Sequence, residues 1–146
     1  MKKRILATVI YLGTAASTAF AHHSHPFFYD VCKTVTIEGR VERVEFKEPH
    51  TLVFLKTDDG TAYTLDWAGL RGLTNNGWLD PAKASLVFGA RISVTGARIR
   101  STAEIREHFQ DFTSVVNPNT LDPAQIRRID NSWNWAMQNP PGCKGK

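Results

Sequence analysis

What this chain lacks narrows its possible functions. It has no H-E-x-x-H, no C-x-x-C, no glycine-rich phosphate loop and no nucleophile elbow. Metalloprotease, dithiol-redox, nucleotide-binding and serine-hydrolase chemistry of the familiar kinds therefore have no foothold in it. After the first dozen residues no apolar run is long enough to span a bilayer. No run of basic residues is longer than the opening Lys2-Lys3-Arg4, and the later ones, such as Arg98 to Arg100 and Arg127-Arg128, are short. Nucleic acid needs a clustered basic surface, so nucleic acid is not an expected partner. Methionine and cysteine occur twice each. No internal repeat or low-complexity segment is present.

The start of the chain is where chemically potent side chains gather. Lys2, Lys3 and Arg4 precede the apolar run Ile5 to Leu12. A small-residue stretch then ends in Ala19-Phe20-Ala21. This is the pattern of a cleavable secretory signal, with the cut after Ala21. The short apolar core suits bacterial export, so the expected location is the periplasm. Residues 1–21 hold three of the 18 basic residues and no acid, which leaves 15 against 14 in the remainder. The net charge of +4 for the whole chain thus falls to +1 after the cut. The processed chain would begin His22-His23-Ser24-His25.

Cys32 and Cys143 lie near the two ends of that remainder. In an oxidising compartment an even pair favours a disulfide. The bridge would close a loop of about 110 residues, worth roughly 4–5 kcal/mol by chain entropy. A two-thiol metal site and two unrelated thiols are the alternatives.

The remainder reads as one mainly β domain. Pro26 limits regular structure in a lead-in over residues 22–33, where Phe27, Phe28 and Tyr29 are apolar enough to strap the start to a core. A first strand covers Thr34 to Phe46. Its period-two alternation (Val35, Ile37, Gly39, Val41) slips by one beside Gly39 and Arg40, as a bulge would make it do. Glu48-Pro49-His50 is a turn. A second strand covers Thr51 to Lys56, and Asp58-Asp59-Gly60 is a hairpin turn. A third strand covers Thr61 to Trp67. Short helices are expected over Ala68 to Asn76 and Ala82 to Leu86, then a fourth strand over Ala90 to Arg98. Between Ile99 and Val116 a fifth strand around Phe112 to Val116 competes with a helical turn at Thr102 to His108. Asp122-Pro123 is a helix-start signal. Ile126, Ile129, Trp133, Ala136 and Met137 then keep helical spacing to about Gln138. The order matches a small five-stranded OB-like Greek-key barrel, with a short helix between strands three and four and an added C-terminal helix. The expected divisions are residues 1–21 as signal, 22–33 as lead-in, 34–116 as barrel, and 117–146 as the C-terminal helix and tail. An open antiparallel sheet packed by the same helix is the rival.

Several short pieces occur in a recognisable order. They are Ala21-His22-His23-Ser24, Tyr29-Asp30, Lys33 to Gly39, Glu48-Pro49-His50, Asp66-Trp67, Gly77-Trp78 and Gly89 to Gly96. Over roughly residues 20–98 the chain resembles the exported bacterial family DUF6152. The resemblance implies an OB-like architecture and carries no established activity. The chain departs from the family's pattern at His25, where an apolar residue is usual, and at Glu48, where Asn is usual. Its stretch after Arg98 is longer, and its last segment and two cysteines are particular to it.

The candidate site is a transition-metal site at the processed start. An N-terminal His22 offers its α-amine and Nδ1 to one ion, and a further imidazole completes a three-nitrogen plane suited to Cu(II). His50, in a turn fixed by Pro49, is the preferred third donor. His23 and His25 are the local alternatives. If Ala21 is retained, the start instead resembles an amino-terminal copper and nickel motif with His23 in third place. The competing reading is a monomeric structural or protein-interaction module of the cell envelope with no metal, its histidines a polar tail. An enzyme is the third reading, without a catalytic constellation to support it.

Overall fold

The computed structural model describes residues 25–140 and Cys143, with the side chains of His25 and Pro26 outside that description. The expected signal and cut, with His22 and His23, therefore lie outside the described residues. Among those described, the elements in chain order are α1 (His25–Phe28), β1 (Tyr29–Glu45), β2 (Thr51–Lys56), β3 (Ala62–Trp67), α2 (Leu70–Asn75), α3 (Leu79–Ser85), β4 (Arg91–Ile99), α4 (Thr102–Arg106), β5 (Thr120–Arg128) and β6 (Asn134–Ala136).

The six strands form one sheet in the order β3-β2-β1-β4-β5-β6. A parallel pairing of β3 with β5, Thr64 opposite Thr120 and Leu65 opposite Leu121, closes five of them into a ring. Every other ladder is antiparallel. Strand β1 is long because it serves two neighbours: its first part pairs with β4, and its last part with β2. The slip read near Gly39 is a register shift between Val41 and Arg43 in the β1–β2 ladder.

The inner face of the ring is apolar. Val41, Val53, Leu55, Leu65, Trp67, Ile92, Val94, Leu121 and Ile126 share one core with Leu73, Ala82 and Leu86 from the helices. On β2 the alternation is strict, with Thr51, Val53 and Leu55 buried. Gly39 marks the tightest crossing on β1. A Cβ there would stand 2.7 Å from the Lys56 carbonyl oxygen and 2.9 Å from Leu55 Cδ1. The backbone oxygen cannot retreat without disturbing the ladder, so Gly39→Ala is expected to cost about 1–3 kcal/mol. A urea titration reads this directly, and an unchanged midpoint would show that the two strands separate freely at that point.

Two expectations are corrected. No helix runs from Asp122 to Gln138. That stretch contains β5, a turn and β6. The spacing that looked helical comes from two short strands joined by a turn that the residues themselves build. Asn131 sits at φ 59°, the Asp130 carboxylate accepts from Ser132 N at 3.0 Å, and the Asn131 side chain accepts from Arg127 Nη1 at 2.7 Å. Pro123, expected to open a helix, lies fully buried in β5 opposite Gly96, where the register of the β4–β5 ladder shifts. An irregularity of this kind is where a strand tolerates proline. Gly96 makes the irregularity possible, since a Cβ on it would be 2.6 Å from the Asp122 carbonyl oxygen.

The second correction concerns residues 112–116. They form no strand, and the fifth strand is β5. Residues 102–106 take the helical alternative instead, closed by a capping box in which Ser101 and Glu104 satisfy each other's backbone N–H. The expected division at residue 117 accordingly does not separate a barrel from an appended helix: β5 and β6 belong to the same sheet as β1 to β4.

Cys32 and Cys143 are joined by a disulfide, with 111 residues of separation. Cys32 lies where β1 swings out between Asp30 and Thr34, a gap in its register with β4. The aromatic lead-in does dock. Phe28 stacks on Phe109 at 5.5 Å between ring centroids and meets Phe112 edge-on at 6.1 Å.

Candidate functional site

His50 is held in place from both sides. It immediately precedes β2, at the end of the Glu48-Pro49 turn. That turn is stitched to the start of α2: Leu70 N donates to the Lys47 carbonyl at 3.2 Å, and Arg71 N donates to Glu48 Oε1 at 2.5 Å. The Glu48 carboxylate thus takes one of the N–H groups that a helix start leaves unpaired. Gly69 allows the close approach, since a Cβ there would be 2.3 Å from the Pro49 carbonyl oxygen. Glu48 thus has a structural task in this chain.

Across from His50, Asp66 projects from β3 on the outer face, next to the inward Trp67. Its two oxygens are both engaged. Oδ1 meets His50 Nδ1, and Oδ2 accepts from the Tyr29 hydroxyl at 2.5 Å. Tyr29 is the first residue of β1, opposite Ile99 of β4, and is only 4 % exposed. Burial, then the neighbouring Asp66 charge, pushes the Tyr29 phenol well above its ordinary range. It therefore stays a neutral donor. Tyr29, Asp66 and His50 form a continuous hydrogen-bonded chain drawn from three different parts of the sequence.

These three groups stand at one side of a cleft of about 290 Å³ whose other walls are Phe28, Ile99, Phe112 and Val116. The arrangement is a small polar cluster set in an apolar hollow. Asp66 fixes the orientation of the His50 ring, and in a neutral imidazole whose Nδ1–H is given to this carboxylate, Nε2 is the acceptor. Phe28 is a wall of the same cleft and ends α1, so the chain arrives at the cleft from the histidine-rich start.

Of the residues singled out in the sequence, the structure places His50 in this cleft. His25 begins α1, three residues before Phe28, and its side chain lies outside the described residues with His22 and His23. Among the described residues no group of three or more His, Cys, Asp or Glu side chains is gathered in a metal-binding cluster. Cys32 and Cys143 are bonded to each other. Sequence reasoning assigned no site role to Tyr29 or Asp66: the first was read as packing, and both otherwise occurred only within the short pieces Tyr29-Asp30 and Asp66-Trp67. The available signal was an isolated carboxylate between Leu65 and Trp67 in an otherwise apolar strand.

The model of a family of unknown function, DUF6152, matches residues 10–106. The chain belongs to this family. No curated protein matches it. The DUF6152 match takes in β1 to β4 and every polar member of the cleft, Tyr29, His50 and Asp66. It stops short of β5, β6 and Cys143, so the seam that closes the ring and the disulfide that ties its ends both depend on residues beyond the matched span.

Proposed function

We propose that this DUF6152 member is an exported periplasmic metal-binding module, which holds one Cu(II) ion between His50 and its processed start at His22. The observation that carries this reading is the Asp66 carboxylate on His50 Nδ1. Metal-ligating histidines characteristically give their other ring nitrogen to a carboxylate, which orients the ring and raises its basicity. His50 Nε2 would be one ligand, and the α-amine and Nδ1 of His22 the other two, a nitrogen-rich plane that suits Cu(II). The reach is sufficient. His22 is three residues before the start of α1, the helix that ends at the cleft wall Phe28, and those residues span about 10 Å if extended. The apolar walls would keep competing water from the ion. Tyr29, held neutral, would steady Asp66 rather than ligate. The strand order supports an OB-like barrel as the scaffold: a β1-β2-β3 meander, with β4 on the other side of β1 and β5 closing against β3.

The experiment is a copper titration of the processed chain, with electron paramagnetic resonance to count bound nitrogens. One tight site with three nitrogens is expected. His50→Ala should weaken it about a hundredfold or more, and Asp66→Asn about 10- to 100-fold, with the fold intact by circular dichroism. Tight binding untouched by His50→Ala would refute the site. Absence of tight binding in the unaltered chain would favour the envelope interaction module, for which Phe109 and Val115, exposed on the segment that borders the cleft, offer a surface.

A further inference from the structure

The end of the ring away from the cleft carries a different combination of groups. Strand β4 runs from Arg91 to Ile99, and Ile99 is a cleft wall, so Arg91 marks the far end. There the chain between α3 and β4 forms a tip, Val87-Phe88-Gly89. Phe88 is 84 % exposed and Val87 48 %. The tip is rigidly placed. Gly89 N donates to the Val41 carbonyl at 2.8 Å, Val41 N donates to the Ala90 carbonyl at 2.9 Å, and Gly89 takes the φ of 78° that the turn needs. A large aromatic ring is thus held out in water by a fixed backbone, beside β1.

Immediately next to it the register lines up three cations. Arg40 on β1 faces Arg91 on β4 and Lys56 on β2, so the three side chains form a row on the outer face across neighbouring strands. Like charges directly opposite one another destabilise a sheet, and this row repeats the arrangement twice. Arg91 is paired with Asp58 at 3.0 Å, while Arg40 and Lys56 make no ion pair among the described residues. Of the nearby acids, Asp58 is held by Arg91, and Asp59 accepts from Thr57 and from Thr61 N within its own turn. Glu38, opposite Ser93, and Glu42, in the β1 bulge, are exposed.

We infer that this end of the ring docks on an anionic lipid surface, with Phe88 and Val87 entering the headgroup region and Arg40, Lys56 and Arg91 lying on the phosphates. An exposed aromatic tip flanked by cations is the chemistry that interfacial binding uses, since apolar insertion and attraction to anionic lipid add together. Double-stranded nucleic acid, held through its phosphates, would account for the cations but not for the presented Phe88. The docked orientation leaves the cleft facing away from the lipid, so this inference stands independently of metal binding.

The test is sedimentation of the processed chain with vesicles of phosphatidylcholine alone and with phosphatidylglycerol mixed in. Binding is expected only to the mixed vesicles, weakening as salt screens the cations. Arg40→Glu and Phe88→Ser should each weaken it about tenfold. Both positions are exposed, and Arg40→Glu relieves repulsion, so the variants keep their fold and unchanged circular dichroism verifies it. The inference is overturned if the unaltered chain stays in the supernatant with anionic vesicles, if the two variants sediment as it does, or if it binds heparin and not the vesicles.

Discussion

Replacing Cys32 and Cys143 together by serine is expected to lower the free energy of unfolding by about 5 kcal/mol and the melting midpoint by about 15–25 °C. The bridge spans 111 residues, and the entropy it removes from the unfolded chain grows with the logarithm of that length. Little of the loss should come from the native state. Cys32 sits on an exposed part of β1 outside the paired register, and neither cysteine belongs to the core. The tryptophan fluorescence of the folded variant should therefore match that of the unaltered chain. A loss below about 1 kcal/mol would mean that the unfolded chain already keeps its ends together.

The second large effect is expected at Trp67, and it separates packing from hydrogen bonding. Trp67 ends β3 facing inward, 2 % exposed, and meets Trp135 edge-on at 5.0 Å and Trp133 at 6.3 Å. These contacts join β3 to the β5–β6 hairpin on the far side of the closing seam. Trp67→Ala should cost about 3–5 kcal/mol, combining lost burial with a cavity. Trp67 Nε1 is buried with no hydrogen-bond partner among the described residues. Trp67→Phe therefore removes an unsatisfied donor along with one ring, and the two changes oppose each other. Its cost should be well under half that of alanine, measured by guanidinium unfolding of both variants. Equal costs would show that the indole nitrogen is satisfied in solution.

The same hairpin shows where the sequence could be read and where it could not. Strands β2 and β3 and the β1 bulge were legible because alternation, its slip beside Gly39 and an Asp-Gly turn all agree over short distances. The disulfide was legible from parity and from the compartment the sequence leads one to expect. The β5–β6 hairpin was not, because Ile126, Ile129 and Trp133 satisfy a helical period by coincidence, and Asp122-Pro123 imitates a helix start. What decides the matter is long-range. Gly96, well before β5 in the chain, provides the space into which the Asp122 carbonyl fits, and that contact has no local signature. The turn Asp130-Asn131-Ser132 was the local sign that weighed against a helix.

The cleft divides in the same way. His50 was visible because a proline fixes its turn and histidine is chemically conspicuous. Tyr29 and Asp66 were not, because their importance lies in meeting each other. Tyr29 follows an aromatic pair that packs, and Asp66 alternates with buried neighbours like any outward strand residue. Tyr29 comes from the β4-paired end of β1, and His50 and Asp66 from the β2–β3 side, so only the closed ring brings a phenol, a carboxylate and an imidazole from positions 29, 66 and 50 into one chain.

The link from Cys32 to Cys143 also makes almost the whole folded body a covalent circle. Every strand after the β1 swing-out, each helix from α2 onward and every connecting loop lie inside it. A protease that cuts once at any exposed turn, including the Val87-Phe88 tip, therefore releases nothing. The nicked product remains one molecule of undiminished mass apart from an added water, and its pieces part only when the sulfur bridge is reduced as well.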